Sequence, residues 1–308
     1  MASERPATRS ISPLLAILAS IGGLFLFGIL MLILLIVWIL RSGPGMPTKP
    51  NGDLIGVIHI TGVISDPEPT LKQLRAFEKK ENIKAVIVRI NSPGGSVGPS
   101  QEIYSQLKKL NKKIPVVASL SSIAASGGYY IAVGAKHIVA NPGTITGSIG
   151  VIMHKPNISG LLKKIGIKAT VIKSGALKDL GNITRDLTDE EKAVLESVLH
   201  DIHSQFIQAV SESRQLPLDQ VRQIADGRIF TGRQAKGLHL IDTLGNFSDA
   251  VDKASQLGNI QGTPQLYYPE KDKWALIMEA LEERTSLFIS HIISNLTSSQ
   301  GGAFLYEQ

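Results

Sequence analysis

Residues 85–97 read AVIVRINSPGGSV, an apolar run that leads directly into a pair of glycines. Five of its first six residues are apolar, and four are β-branched, which is typical of a strand buried on both faces. The adjacent Gly94 and Gly95 follow the strand and let the backbone turn sharply and come close to a ligand. The same residue types also occur in ordinary turns, so the loop alone leaves both interpretations open.

Similar short β-branched runs lie on both sides of this stretch and alternate with amphipathic segments. The predicted strands are Leu54–Ile60, Ala85–Ile90, Val116–Ser119, Ile138–Ala140, Ile149–Met153 and Ala169–Ile172. The predicted helices are Gly98–Leu110, Ala125–Val133, Ile158–Ile165 and a long helix from Thr188 to about Gln215. Thr188 is the expected N-cap of that long helix, and Glu191 completes a capping box. The alternation predicts an α/β domain with parallel strand pairing.

The N-terminal part of the chain is unusually apolar. Residues 13–40 contain no charged side chain. A helix of about 20 residues spans a bilayer, whereas the apolar core of a cleaved signal is only about 7–15 residues, so one transmembrane anchor is favoured over a signal peptide. Arg5 and Arg9 precede the segment, and Arg41 and Lys49 follow it. The distribution of these flanking positive charges slightly favours a cytoplasmic N-terminus. The main domain is then expected on the extracytoplasmic, periplasmic side of the cell membrane.

These features divide the chain into five predicted parts. They are a cytoplasmic N-terminal tail (1–12), the transmembrane anchor (13–40), a linker (41–52), the α/β domain (53–260) and a C-terminal extension (261–308). The linker carries three prolines and three glycines. Within the extension, Trp274–Leu296 has apolar residues at helical spacing, and it is expected to pack on the domain or to mediate assembly.

Composition excludes several classes of site. The 308 residues include no cysteine, so the chain has neither a disulfide framework nor a thiolate metal site, and no metal or cofactor is expected. The formal charge of +6 is scattered along the chain. Its densest cluster, Lys108, Lys109, Lys112 and Lys113, is typical of a solvated helix end, so no nucleic-acid partner is expected.

A candidate nucleophile follows the predicted strand Val116–Ser119. Residues 121–130 read SSIAASGGYY, and the small residues on both sides of Ser126 would let a strand-to-helix turn expose its hydroxyl. A helix beginning there would aim free N–H groups and its positive dipole end at the same point. That arrangement suits a nucleophile whose reaction creates an oxyanion. A serine N-cap would explain the same local pattern.

Two more motifs complete an ordered series. Residues 146–151 read TGSIGV, and residues 173–179 read KSGALKD. The order NSPGGSV, SxxAASGGYY, TGSIGV, KSGALKD resembles the signal peptide peptidase SppA family, which are serine peptidases of the ClpP/crotonase superfamily. The resemblance covers roughly residues 53–255 and is closest to the short, single-unit form with one N-terminal anchor. His239 departs from it, because the family usually has glycine there.

The resemblance implies a fold and a set of roles. The fold is a stack of ββα units with helices on the outside, and residues 53–260 would form the serine peptidase domain. Ser126 matches the nucleophile, Lys178 the general base, and Ser148 the hydroxyl that holds the lysine. Gly95 and Gly127 match the oxyanion-hole donors. Family members assemble into rings or domes in which neighbouring subunits complete the Ser/Lys dyad, so a homo-oligomer is expected.

The proposed base raises a specific physical question. A lysine can accept a proton at neutral pH only if burial lowers the pKa of its ammonium by several units. Asp179 directly follows Lys178, and a carboxylate paired with the ammonium would oppose this. Neighbouring side chains of an extended segment point to opposite sides, so Asp179 is expected to point away.

Other mechanisms and functions are kept as alternatives. A Ser–His–Asp arrangement could use His154 oriented by Asp179 or Asp186, but no second feature supports it. His137, His200 and His203 are interpreted as surface or packing residues. A crotonase-type acyl-CoA enzyme and a non-catalytic membrane scaffold are the other functional classes. The resemblance favours a membrane-anchored serine endopeptidase that degrades remnant signal peptides and other hydrophobic peptides.

Overall fold

The computed structural model describes residues 22–34, residue 38 and residues 52–269. The chain divides into two units, residues 1–51 and residues 52–308. In the first unit, residues 22–34 are helical, and their apolar side chains are exposed. Within the described ranges no helix has both the length and the apolar character needed to cross a membrane. The predicted anchor, residues 13–40, extends beyond the described residues at both ends.

The second unit is built on one eight-stranded sheet. Its strands are β1 (Leu54–Ile64), β2 (Ile83–Gly95), β3 (Val116–Ala125), β4 (His137–Ala140), β5 (Ile145–Gly147), β6 (Ile229–Thr231), β7 (Thr243–Leu244) and β8 (Gln265–Tyr267). The main path runs β6-β5-β3-β2-β1-β8, and β4 joins β3 to β7. All pairs are parallel except the antiparallel β5–β6 pair.

Helices cover both faces of the sheet. They are α1 (Glu68–Glu78), α2 (Val97–Leu110), α3 (Gly127–Ala132), α4 (Ser159–Lys164), α5 (Asp189–Arg214), α6 (Leu218–Ile224), α7 (Gly232–Gly237) and α8 (Phe247–Leu257). Alternate residues of β2 enter two different core layers: Val86 and Val88 join the larger cluster, whereas Ala85 and Ile87 pack toward α8. A strand covered on both faces must be apolar at successive positions, which explains the uninterrupted run that starts at residue 85.

The predicted mixed α/β class is confirmed, and several elements begin and end close to their expected positions. The long helix α5 begins after Thr188, whose side chain accepts from the Glu191 amide while the Glu191 side chain accepts from the Thr188 amide. This is the predicted capping box. The helix ends at Gln215, which adopts a left-handed conformation at φ 54°.

Two predicted strands are wrong. Neither Ile149–Met153 nor Ala169–Ile172 is a strand in the structure. Both fall in or at the start of residues 151–183, a segment between β5 and α5 whose only helix is the short α4. β-branched residues form a strand only where a neighbouring strand can accept their backbone hydrogen bonds. Here Ile149 is buried in the core, but Ile152 and Val171 are exposed, and Ile172 is 98% exposed.

The departure from the family pattern at His239 has a defined geometry. His239 has φ 60°, in the left-handed region that glycine adopts most readily. Its carbonyl accepts a hydrogen bond from Arg214 Nε at 3.0 Å. The backbone therefore keeps a glycine-like turn even though a side chain is present.

Candidate active site

Ser126 lies at a sharp turn between β3 and α3. Its φ of 53° and ψ of −122° are unusual for a residue with a side chain. The Ser126 amide donates to the Gly147 carbonyl at 2.9 Å, and the Ser126 carbonyl accepts from the Tyr130 amide at 2.8 Å. These bonds hold the strained backbone from both sides. Such conformations concentrate at functional sites because surrounding structure must maintain them.

Ser148 occupies the matching position on the neighbouring strand. Ala125 of β3 pairs with Gly147 of β5, so Ser126 and Ser148 are the next residues on adjacent strands. Ser148 has φ 52°, nearly the same as Ser126, and its amide donates to the Arg228 carbonyl at 2.9 Å. Two serines with nearly the same positive φ therefore leave the sheet side by side.

The glycine pair at the end of β2 approaches the start of α3 very closely. Gly94 has φ 106°, and a Cβ there would lie 2.8 Å from both the Gly127 nitrogen and Ser126 Cβ. A Cβ at Gly127 would lie 3.3 Å from the Gly95 nitrogen and would overlap Ser100 Oγ. Only residues without side chains allow this approach.

Two backbone amides converge beside Ser126. The Ser96 amide donates to the Ile64 carbonyl of β1 at 2.7 Å. Successive amides of an extended strand point to opposite edges, so the Gly95 amide faces away from β1, toward β3. The Gly127 amide belongs to the first turn of α3, where N–H groups have no acceptor within the helix. This arrangement can stabilise an oxyanion next to a serine hydroxyl.

A cavity of about 870 Å³ opens at this point. Four of the five predicted site residues line it: Gly95, Ser126, Gly127 and Ser148. Much of its wall is apolar and includes Val97, Val151, Ile152, Leu199, Ile202 and Phe206. Phe206 packs on Tyr130 with ring centroids 4.7 Å apart, and Tyr130 lies one turn after Ser126. The cavity could therefore hold an extended apolar segment across the serine.

Lys178 is the predicted site residue that this cavity does not include. It lies in the 151–183 segment, and its side chain is exposed. Within one chain, the described residues therefore bring together the predicted nucleophile, the second serine and both glycines, but not the lysine. His154 is likewise exposed and outside the cavity lining.

The Asp179 carboxylate, which could have paired with Lys178, pairs with other side chains. Asp179 Oδ1 accepts a hydrogen bond from Lys173 Nζ, and Asp179 Oδ2 accepts from Arg185 Nε at 3.0 Å. The Lys173 hydrogen bond, followed by the Arg185 hydrogen bond, lowers the pKa of Asp179 to about 2. Both carboxylate oxygens are thus engaged by cations other than Lys178.

Helix α5 supplies polar residues that the sequence interpretation missed. Glu196, His200 and His203 line the cavity, although both histidines were interpreted as surface or packing residues. Spacings of three and four residues place them on one face of the helix, and this was the available signal. His203 Nε2 is buried and has no hydrogen-bond partner in the part of the chain that the structure describes.

Comparison with known proteins identifies relatives of this chain. The profile of peptidase family S49 matches residues 108–261, a range that contains Ser126, Ser148 and Lys178. The relative named "Putative protease slr0021" from Synechocystis sp. is 48% identical over 208 residues, which cover 67% of this chain and 75% of that protein. The chain belongs to peptidase family S49. Its relatives also include "Serine protease SPPA, chloroplastic" from Arabidopsis thaliana, 36% identical over 211 residues, or 66% of this chain and 31% of that protein.

Coverage of the relatives is uneven. "Protease 4" from Salmonella typhi is 34% identical over 231 residues, which are 72% of this chain but only 37% of that protein. The shared region is thus little more than a third of that protein. The S49 chain described here is a serine peptidase.

Proposed function

We propose that this S49 peptidase uses Ser126 as its nucleophile and Lys178 of a neighbouring copy as its general base. The observation that carries the proposal is the strained Ser126 turn, at which the Gly94–Gly95 loop meets the start of α3. The mostly parallel sheet with helices on both faces is compatible with a ClpP/crotonase-like stack of ββα units.

In the proposed mechanism each group has one role. Ser126 Oγ attacks the scissile carbonyl carbon while the lysine amine accepts the hydroxyl proton. The carbonyl oxygen becomes an oxyanion and accepts hydrogen bonds from the Gly95 and Gly127 amides, and one such donor typically contributes about 100- to 1000-fold in rate. The lysine then gives its proton to the leaving amine, and water hydrolyses the acyl-enzyme. The Ser148 hydroxyl would orient the lysine.

A neighbouring copy is the natural source of the base. Lys178 is exposed within its own chain, and the segment that carries it leaves Ile152, Met153 and Ile172 exposed. Packing this segment against a second copy would bury these side chains and desolvate the lysine, as a lysine base requires. This supports a homo-oligomer in which each site combines two chains.

Mixing two inactive variants tests the shared site. Ser126→Ala and Lys178→Ala should each be inactive when purified alone. After they are co-assembled at equal amounts, random neighbours would leave about a quarter of the sites with both functional groups. Peptide hydrolysis near that level is expected, and a mixture that stays inactive although the two chains co-assemble would rule out the shared dyad.

A fluorophosphonate probe separates the peptidase from the other functional classes. The assembled wild-type protein should be labelled at Ser126, and the Ser126→Ala variant should not be labelled. A non-catalytic scaffold or an acyl-CoA enzyme of the same fold would leave Ser126 unmodified, and an acyl-CoA enzyme would instead show thermal stabilisation by coenzyme A.

The substrate class we propose is hydrophobic peptides, including signal peptides that remain in the membrane after secretion. The apolar cavity wall supports this, and one relative carries the name "Putative signal peptide peptidase SppA" from Enterococcus faecium, 39% identical over 183 residues. Apolar peptides should be cleaved faster than charged peptides of equal length. Equal rates would argue against this substrate class.

We also propose that residues 13–40 anchor the enzyme in the cell membrane with its catalytic unit on the extracytoplasmic side. The uncharged apolar run supports the anchor, and the flanking charges support the orientation. The chain has no cysteine, so a single cysteine introduced into the catalytic unit reports its side of the membrane without background. Labelling of intact cells by a membrane-impermeant maleimide is the expected result.

A further inference from the structure

A line of ion pairs connects the loop that carries Lys178 to the start of α5. Lys173 and Arg185 both bind the Asp179 carboxylate, and Arg185 also binds Glu191 in the first turn of α5. Arg185 Nε lies 3.0 Å from Asp179 Oδ2, and a second Arg185 nitrogen lies 2.8 Å from Glu191 Oε2. One guanidinium thus bridges the residue next to Lys178 and the end of the helix.

The helix end of this connection is firmly held. Glu191 is only 2% exposed, and its carboxylate also accepts from the Thr188 amide at 2.9 Å in the capping box. Buried carboxylates with several donors have little freedom to move, and planar two-point contacts with arginine add directional restraint. The same helix lines the cavity further along, through Glu196 and His203.

Polar links rather than apolar packing hold the 151–183 segment within its own chain. Helix α4 contributes no buried residue. At the base of the segment, the Ile158 amide donates to the Ile183 carbonyl at 2.8 Å, and Lys155 Nζ donates to the Arg185 carbonyl at 2.6 Å. Without a core of its own, the segment depends on such contacts for its position.

We propose that Asp179 and Arg185 are positioning residues that hold the Lys178 loop against the cavity helix α5. This inference rests on the proposed role of Lys178 as the general base. Asp179 is the next residue to Lys178, so the Arg185 bridge restrains the backbone from which the lysine side chain extends. Asp179 therefore acts on the reaction only through the location of the lysine.

Disrupting the ion pair between Asp179 and Arg185 should slow the chemical step. Asp179→Asn and Arg185→Gln are each expected to lower kcat by about 10- to 100-fold, because a displacement of about 1 Å in a catalytic group has effects of this size. KM should change by less than about threefold, because neither residue lines the cavity. The double variant should be no slower than the slower single variant, because both changes remove one connection.

The decisive measurement repeats Asp179→Asn in a Lys178→Ala background, with hydrolysis of an activated ester as the readout. If Asp179 acts through Lys178, the substitution has no further effect on the residual rate. A general structural defect would lower the residual rate as well and would overturn the inference. Asp179→Glu keeps the charge and should recover part of kcat, which covers the case in which the asparagine variant folds poorly.

A surface variant serves as the control, and two different results distinguish failure of this inference from failure of the proposed function. Asp219→Asn removes a carboxylate that is 86% exposed and pairs with Arg222 on the surface, and it should leave kcat unchanged. Wild-type kcat in Asp179→Asn, together with an inactive Lys178→Ala, would overturn only this inference. Full activity in Lys178→Ala would instead overturn the proposed function.

Discussion

At the residue scale, the candidate site depends on backbone conformations that few residues adopt. Ser126 and Ser148 both have φ near 50° although neither is glycine, and Gly94 has φ 106°. Ser126 and Ser148 line the same cavity, and Gly94 contacts the nucleophile turn. Strain of this kind persists only where surrounding structure maintains it, so its concentration around one hydroxyl supports a catalytic role.

Gly94→Ala should inactivate the enzyme without unfolding it. The added methyl group would lie 2.8 Å from the Gly127 nitrogen and push apart the two loops that carry the proposed oxyanion donors. We expect kcat to fall about 100-fold, comparable to the loss of one donor. The matched control is Gly98→Ala in the same region, where a Cβ would meet no atom within 4 Å, and its kcat should stay close to wild type. Unchanged kcat in Gly94→Ala would contradict the proposed oxyanion hole.

His203→Phe distinguishes a lysine base from a histidine base. His203 Nε2 is buried and has no partner among the residues that the structure describes, so a similar apolar ring should leave stability unchanged or raise it by about 1 kcal/mol. If Lys178 is the base, kcat should stay within about threefold of wild type. Thermal unfolding and peptide hydrolysis measure both effects. The control is His59→Phe, at an exposed position of β1 outside the cavity lining. Loss of activity in a folded protein would point to the imidazole.

At the scale of elements, helix α5 contacts both the cavity and the Lys178 loop. One face of the helix lines the cavity, and Glu191 in its first turn forms an ion pair with Arg185. The sequence predicted its start and its capping box because these depend on residues three positions apart. It did not predict the Arg185 bridge, since arginine-to-carboxylate pairing across six residues of loop has no periodic pattern.

The bridge should make stability depend on pH in the acid range. The Arg185 hydrogen bond, with the Thr188 amide, lowers the pKa of Glu191 from 4.5 to about 2. A lowered carboxyl pKa stabilises the fold above the ordinary value, and this contribution is lost as the pH falls from about 4.5 toward 2. Glu191→Gln should therefore lower the melting temperature most at pH 5 and above, and the difference should narrow toward pH 2.

Melting curves of both proteins from pH 2 to pH 7 measure this difference. Asp219→Asn is again the control, because an exposed ion pair contributes little, and its curve should run parallel to wild type. A constant difference between Glu191→Gln and wild type across the whole range would show that the carboxylate charge is not responsible.

At the scale of the whole molecule, the cavity formed by one chain contains only part of the predicted catalytic groups. The cavity includes Ser126, Ser148 and both glycines, whereas Lys178 lies on an exposed segment with unburied apolar residues. Both features have one explanation if the segment packs on another copy. Activity is then expected to depend on assembly and therefore on protein concentration.

Ile172→Asp should weaken assembly and activity together. Ile172 is 98% exposed in the single chain, so its replacement should not alter the stability of the monomer. A carboxylate in an apolar interface would be desolvated without a partner, which disfavours association. Sedimentation velocity and peptide hydrolysis should show smaller particles and lower kcat at equal concentration. Ser204→Asp, which adds the same charge at an exposed position of α5, should match wild type. Full assembly and activity in Ile172→Asp would contradict an interface at this segment.

Local sequence patterns were sufficient to predict the α/β class, the buried strands that lead to the glycine pair and to Ser126, and the capping box of α5. These follow from local patterns, since apolar runs and caps act over a few residues. Only the tertiary structure decided that residues 149–153 and 169–172 are not strands, because strand formation needs a partner that the sequence does not name. It also decided that Asp179 binds Lys173 and Arg185, and that α5 lines the cavity. These contacts join residues that are distant in the chain or lie in a non-periodic loop, and only folding brings them together.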